Sequence, residues 1–216
     1  MALQNRVDVF GALHAVSDRG TFTGNRGVIH DPATRTLLKR RWSTKAWIVC
    51  ALKHPRGIRR DPMGRNARSG GAGWTELFFL DEVTALAAGH RPCFYCRREA
   101  AQAFVDAWRA DAGDPGLPLP ELDRRLHGER LVSGGATRRL EVAQLADLPE
   151  GAVVTAAKRA YALRHERFLP WTFAGYGAPI DVQDLAGLRL ELLTPPSTLA
   201  ALRTGYRPAW HLSAQS

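Results

Sequence analysis

The first third of the chain carries its apolar residues in short runs split by turn formers, a pattern that predicts strands and turns. Gly20–Gly27 (GTFTGNRG) is rich in turn formers, and Asp31-Pro32 marks another turn. Trp47–Leu52 (WIVCAL) is a short apolar run with β-branched residues, which predicts a buried strand. His54–Gly73 mixes two prolines and five glycines with many arginines, and predicts a long exposed loop. Thr75–Leu80 (TELFFL) reads as a strand. Asp81 then fits an N-cap, with a helix over residues 84–88 that stops at Gly89. A second helix is predicted from Arg97 to Ala110, because Ala100, Ala103, Phe104, Ala107 and Trp108 recur at helical spacing.

Asp111–Pro120 (DAGDPGLPLP) holds three prolines and two glycines and is the best linker. Beyond it the pattern predicts a helix over 121–131, strands over 152–156, 160–164 and 188–193, and a late helix over 196–202 with proline in its first turn. The expected fold class is α+β. A small domain over residues 1–114 is followed by a β-rich domain with short helices over 115–216, whose sequence names no chemistry.

Composition narrows the class. The chain has 216 residues, 45% of them apolar, enough to build a core. No run approaches the roughly 18 apolar residues a membrane span needs, and Met1–Phe10 has no apolar export signal. Three cysteines without such a signal argue against a disulfide framework or a disulfide-linked partner. The expected location is the cytoplasm. Charge sharpens the picture further. The formal net charge is +9, yet residues 35–68 alone carry eleven Lys or Arg against Asp61, a local +10. The remainder is nearly neutral. Cys50 lies in the middle of that basic segment, and such clustering is the footprint expected for a polyanion such as nucleic acid. A solvated basic loop is the plainer reading.

Cys93-Phe94-Tyr95-Cys96 is a C-x2-C pair just before a helix, a spacing that lets two thiolates grip one tetrahedral zinc from a tight turn. The same spacing fits a redox motif or two inert cysteines. Cys50-Ala51-Leu52-Lys53-His54 offers a C-x3-H pair that would complete a Cys3His shell. His90 is a rival fourth donor, and Cys50 could instead be a buried core thiol.

Glu82–Glu99 (EVTALAAGHRPCFYCRRE) resembles the metal-binding N-terminal domain of the Ada DNA alkylation-repair protein. The matching residues are Ala85, Leu86, Ala87, Ala88, Gly89, Arg91, Pro92, Cys93 and Cys96. The resemblance covers about residues 47–54 and 75–99. Cys50 falls on the first cysteine of that family's upstream C-x3-C pair and His54 on the second. It implies a small Ada-like, zinc-stabilised domain with Cys50, His54, Cys93 and Cys96 around Zn2+, and a link to DNA repair. In that family the cysteine at the Cys50 position accepts a methyl group from a DNA phosphotriester. Replacing one thiolate by His54 lowers the formal charge of the centre from −2 to −1 and should weaken its nucleophilicity. Neither a helix-turn-helix activator segment nor a Pro-Cys-His alkyl-acceptor motif is present.

The leading functional expectation is a non-enzymatic zinc protein that binds nucleic acid, DNA foremost, which would place it with the nucleoid. Arg40, Arg41, Lys45, Lys53, Arg56, Arg59, Arg60, Arg65 and Arg68 would contact phosphates. Two enzymatic alternatives stand beside it: methyl transfer to Cys50, and an acid–base site around His127, which lies four residues after Asp123 on a predicted helix. In a third alternative zinc only props up an interaction domain, with the six tryptophans as core or interface anchors. Phe168–Tyr176 (FLPWTFAGY) suits either a groove or a packed strand and turn. Asn25 and Arg26 could hold an anion, although a plain turn is the simpler reading.

Overall fold

The computed structural model describes residues 2–57 and 59–215. The N-terminal strands are β1 (Arg6–Val7), β2 (Leu13–His14), β3 (Phe22–Asn25), β4 (His30–Asp31), β5 (Thr36–Leu37), β6 (Ile48–Ala51), β7 (Leu77–Phe79) and β8 (Arg91–Pro92). Six of them form one mixed sheet in the order β2-β1-β7-β3-β6-β8, while β4 and β5 pair separately. Helix α1 (Glu82–Ala87) links β7 to β8. Helices α2 (Arg98–Ala112) and α3 (Leu119–Glu129) follow. The second sheet holds β9 (Arg138–Leu140), β10 (Val153–Ala156), β11 (Arg159–Arg164), β12 (Arg167–Thr172), β13 (Gly175–Tyr176) and β14 (Leu190–Leu192), in the order β13-β12-β11-β10-β14-β9. Helix α4 (Pro196–Arg203) closes the chain's regular structure. The class is mixed α+β.

Several local expectations are met for the reasons given. Asp81 is an N-cap whose side chain accepts from the Thr84 N–H at 2.9 Å. Gly89 follows α1 at φ +78°, a backbone region open to glycine. Trp47–Leu52 contains β6, and residues 54–73 hold no strand or helix among the described residues. The loop is nonetheless anchored: Met63 is fully buried, Asn66 bonds the backbone of Asp61 on both sides, and Arg35 pairs with Asp61. Phe168–Tyr176 is a packed strand and turn, β12 into β13.

Other expectations are corrected. Gly20–Gly27 contains β3, a central strand hydrogen-bonded to both β6 and β7. Gly20 and Gly24 serve close approach rather than turning, a Cβ on Gly24 lying 2.2 Å from the Ile48 carbonyl oxygen, whereas Gly27, at φ +86°, sits where the chain bends. Arg26 does not sit in an anion-holding turn. It is fully buried, donating to the Gly11 carbonyl at 2.9 Å and to His90 Nε2 at 3.2 Å. Asp123 does not pair with His127, because both its oxygens take the Arg91 guanidinium at 2.8 and 2.9 Å. His127 instead meets the edge of Trp42, and nearby Glu129 accepts from the N–H and hydroxyl of Ser197 at the start of α4.

Two buried carboxylates tie distant segments together. Asp81 accepts from the Tyr176 hydroxyl at 2.9 Å and the His211 N–H at 3.1 Å. Glu82 takes Arg97 bidentately at 2.7 and 2.8 Å, the Tyr206 hydroxyl at 2.6 Å and the Ala209 N–H at 2.9 Å. The turn near residue 114 lies between α2 and α3. Leu86 of α1, Phe104 and Trp108 of α2, Leu122 and Leu126 of α3, and Ala201 and Leu202 of α4 share one apolar cluster. A second cluster joins Val83 and Leu80 to Val153, Ala162 and Leu169 of the C-terminal sheet.

Gly24→Ala should push β3 off β6 and destabilise the chain by about 1–3 kcal/mol, the usual cost of overpacking. A fall in the urea unfolding midpoint, with the slope unchanged, is the expected reading.

Candidate metal centre

The sheet builds the centre from its edge. Strand β8 pairs with β6 in parallel, Ile48 opposite Arg91 and Val49 opposite Pro92. The Cys93 N–H extends the ladder by donating to the Val49 carbonyl at 3.0 Å. One step further along that register Cys50 faces Cys93. The tight turn after β8 then returns Cys96 to the same spot. The sulfur atoms of Cys50, Cys93 and Cys96 all lie within 4.8 Å of one another. Three sulfurs on a tetrahedral zinc would be about 3.8 Å apart, from a Zn–S bond of about 2.3 Å, so the trio is close to the size of such a shell.

The local chemistry favours thiolate. The Tyr95 N–H points at Cys93 Sγ at 3.4 Å, and the Cys96 N–H is aimed at the same sulfur. Hydrogen bonds from the Cys50 and Cys96 thiols, with those N–H groups, hold the Cys93 thiol far below the ordinary thiol range. The same contacts with Cys93 and Cys96, together with burial, push Cys50 up. Cys96 is raised as well, the downward pull of Cys50 being outweighed by Cys93 and burial, so the negative charge sits on Cys93, where a cation would neutralise it. The cysteines carry no disulfide. The donor set fits a thiophilic divalent ion such as zinc.

Both histidines considered as fourth donor stand outside the trio. His90 is fully buried against Trp47 and Phe79, with Nε2 facing Arg26. Burial, then Arg26 and Arg130, hold it well below the usual imidazole range. His54 lies on the loop after β6, its ring 5.7 Å from that of Tyr95. Its Nδ1 accepts the Arg56 N–H at 3.1 Å. Among the described residues no fourth His, Cys, Asp or Glu joins the group.

All three cysteines line a cleft of about 1050 Å³. Lys53, Arg59 and Arg60 also line it, together with Trp74, Tyr95 and Glu76. Trp74 and Tyr95 are 44% and 56% exposed on the cleft wall. The Arg60 guanidinium stacks 3.4 Å from the Trp74 ring centroid. Arg56 approaches the Tyr95 ring at 5.7 Å. The other basic residues named from sequence lie outside the cleft lining: Arg40, Arg41 and Arg65 donate to the backbone carbonyls of Val28, Leu38 and Gly70, while Lys45 and Arg68 are exposed. The sequence reading missed Glu76 and Thr23, and it offers Trp74 only as one of six core or interface anchors. Alternation within TELFFL puts Glu76 and Phe78 on one face, but only the pairing of Thr23 with Cys50 shows that this face meets the cysteines.

No protein-family model, curated protein or solved structure matches this chain, and none of these comparisons supports a relationship to Ada. No helix among the described residues is long and apolar enough to cross a membrane.

Cys50→Ala or Cys93→Ala should abolish metal retention. Elemental analysis of the purified chain should give one zinc per wild-type molecule and none for either variant.

Proposed function

We propose that this chain is a zinc protein whose metal centre floors a basic, aromatic-rimmed cleft for nucleic acid. The observation that carries the reading is the convergence of the three cysteines with Lys53, Arg59, Arg60, Trp74 and Tyr95 on a single cleft. Cations along a groove hold a phosphate backbone, and exposed rings offer platforms on which unpaired bases stack. That combination favours single-stranded or unstacked segments over an intact duplex. Arg40, Arg41, Lys45, Arg56, Arg65 and Arg68 would extend the positive field around the mouth. The ion fixes the edge of the sheet that forms one wall. On this reading residues 1–114 hold the centre, and residues 115–216 brace it through α3 and α4.

Methyl transfer is a second reading, favoured by Cys50 lying half-buried in the cleft wall beside these cations. A methyl group would pass from a phosphotriester oxygen to Cys50 Sγ. The C–O bond breaks, a C–S bond forms, and a phosphodiester anion leaves. The Ada resemblance and its link to repair bear on this reading alone.

Labelled single-stranded DNA, titrated by fluorescence anisotropy at several salt concentrations, tests the first reading. Removing Lys53, Arg59 and Arg60 together should flatten the log–log salt slope by about 0.7 for each lost phosphate contact. Trp74→Ala should cost about 1–3 kcal/mol of binding with the slope unchanged. A flat salt response in the wild type overturns the reading. Intact-mass analysis after exposure to methylphosphotriester DNA tests the second: 14 Da on Cys50 is expected from about one CH2 equivalent, and an unmodified Cys50 ends it.

A further inference from the structure

The metal reading above leaves one coordination position without a protein donor, and the cleft decides what can fill it. Zinc in a closed structural site takes four protein ligands, whereas an open site takes three and keeps one position for an incoming group. Three donors are present here among the described residues. His54 lines the same cleft, but its Nδ1 already accepts the Arg56 N–H. A neutral imidazole bonded in that way carries its proton on Nε2, so neither nitrogen has a free electron pair for a metal. All three cysteines line the cleft, so the remaining position is reached from there.

Glu76 is the sole carboxylate among the described residues lining that cleft. The Thr23 hydroxyl donates to the Leu77 carbonyl at 2.8 Å and lies 3.4 Å from Glu76 Oε1. Thr23 is the cross-strand partner of Cys50. Partners of this kind project on one face of the sheet with Cβ atoms about 5 Å apart, so Thr23 stands between Cys50 on β6 and the Glu76 carboxylate beside β7, and all three line the same cleft. The Arg60 guanidinium is attracted by Glu76 and lines the same cleft as Cys50. Burial raises the Glu76 carboxyl above its ordinary range, against the pull of Arg60 and Thr23, so the neutral acid is an accessible state.

We infer that the cysteine trio is an open metal centre whose fourth position takes a protic donor (water, an alcohol or a thiol) from the cleft, and that Glu76 accepts the donor's proton. The O–H or S–H bond breaks, the proton passes to the Glu76 carboxylate, and the electron pair left on the donor goes to the ion. Three thiolates already give the centre a formal charge of −1, so a donor that arrives as an anion meets repulsion. A neutral donor that ionises on arrival, with its proton held next door, avoids bringing in a net charge.

The full chain loaded with Co2+ in place of zinc gives a visible spectrum that reports the coordination shell. The probes are 2-mercaptoethanol, which must lose a proton to bind as thiolate, and azide, which has none to lose. Mercaptoethanol should change the wild-type spectrum, and azide, which arrives as an anion, should do so only at higher concentration. Glu76→Gln, with unchanged Co2+ content, should weaken mercaptoethanol about tenfold, equal to one pKa unit, and leave azide unchanged or tighter. A spectrum indifferent to both probes, or altered by His54→Ala in their absence, shows a closed shell and overturns the inference. Equal weakening of both probes in Glu76→Gln, or no weakening of mercaptoethanol, overturns the role of Glu76. Failure to take up Co2+ or Zn2+ at all removes the metal reading itself, and the inference with it. The DNA titration stands apart from every one of these results.

Discussion

The two-residue parallel pairing of β6 with β8 is the constraint on which the centre depends. Parallel neighbours need a crossover, and here the intervening chain supplies a loop, a strand and α1 before returning. So short a ladder is weak by itself. It is held from outside, because Trp47 and Val49 are fully buried on one side and the Arg91 guanidinium is locked to Asp123 on the other. Register matters as much as pairing: a slip by one residue would turn Cys50 to the opposite face and break up the trio.

Beneath this edge lies a group of buried cations that carries a cost. Arg26 and Arg130 approach the Trp47 ring at 4.0 and 4.3 Å, and His90 adjoins it. Burial, chiefly, lowers both guanidinium groups to about 9, and each feels another arginine nearby. Aromatic contact and backbone carbonyls from Gly11, Gly89 and Lys45 offset part of the desolvation. These carbonyls belong to three separate loops. The arginines thus fix the positions of the turns that feed β2, β6 and β8, and through the last two the placing of the cysteines.

The sequence made local structure readable where one short segment decides it. Asp81 before a helix, the C-x2-C turn and the apolar WIVCAL run each carry their own cause. The approach of Cys50 to Cys93 and Cys96 was readable too, because the thiol is the rarest donor in the chain. Readability failed where pairing between distant strands makes the decision. GTFTGNRG looks like a turn because glycine is a turn former, yet Gly20 and Gly24 let β3 lie against backbone on either side. Asp123 looks like a partner for His127 until Arg91 arrives from 32 residues away. Glu76 has no motif at all, since its meaning comes from Thr23 across a strand. Short strands such as β9 and β13 carry too few residues to show any alternation.

Asp81 and Glu82 have a consequence for how this chain is made. Their partners Tyr206, Ala209 and His211 lie 124 to 130 residues further on. A growing chain that has exposed both acids and all three cysteines must still wait for more than a hundred residues before these groups arrive. Until then Asp81 and Glu82 hold only nearer partners such as Thr84 and Arg97, and the C-terminal segment does not yet latch α1. The arrival of residues 206–211, rather than the appearance of the last sulfur, therefore completes the bracing of the centre.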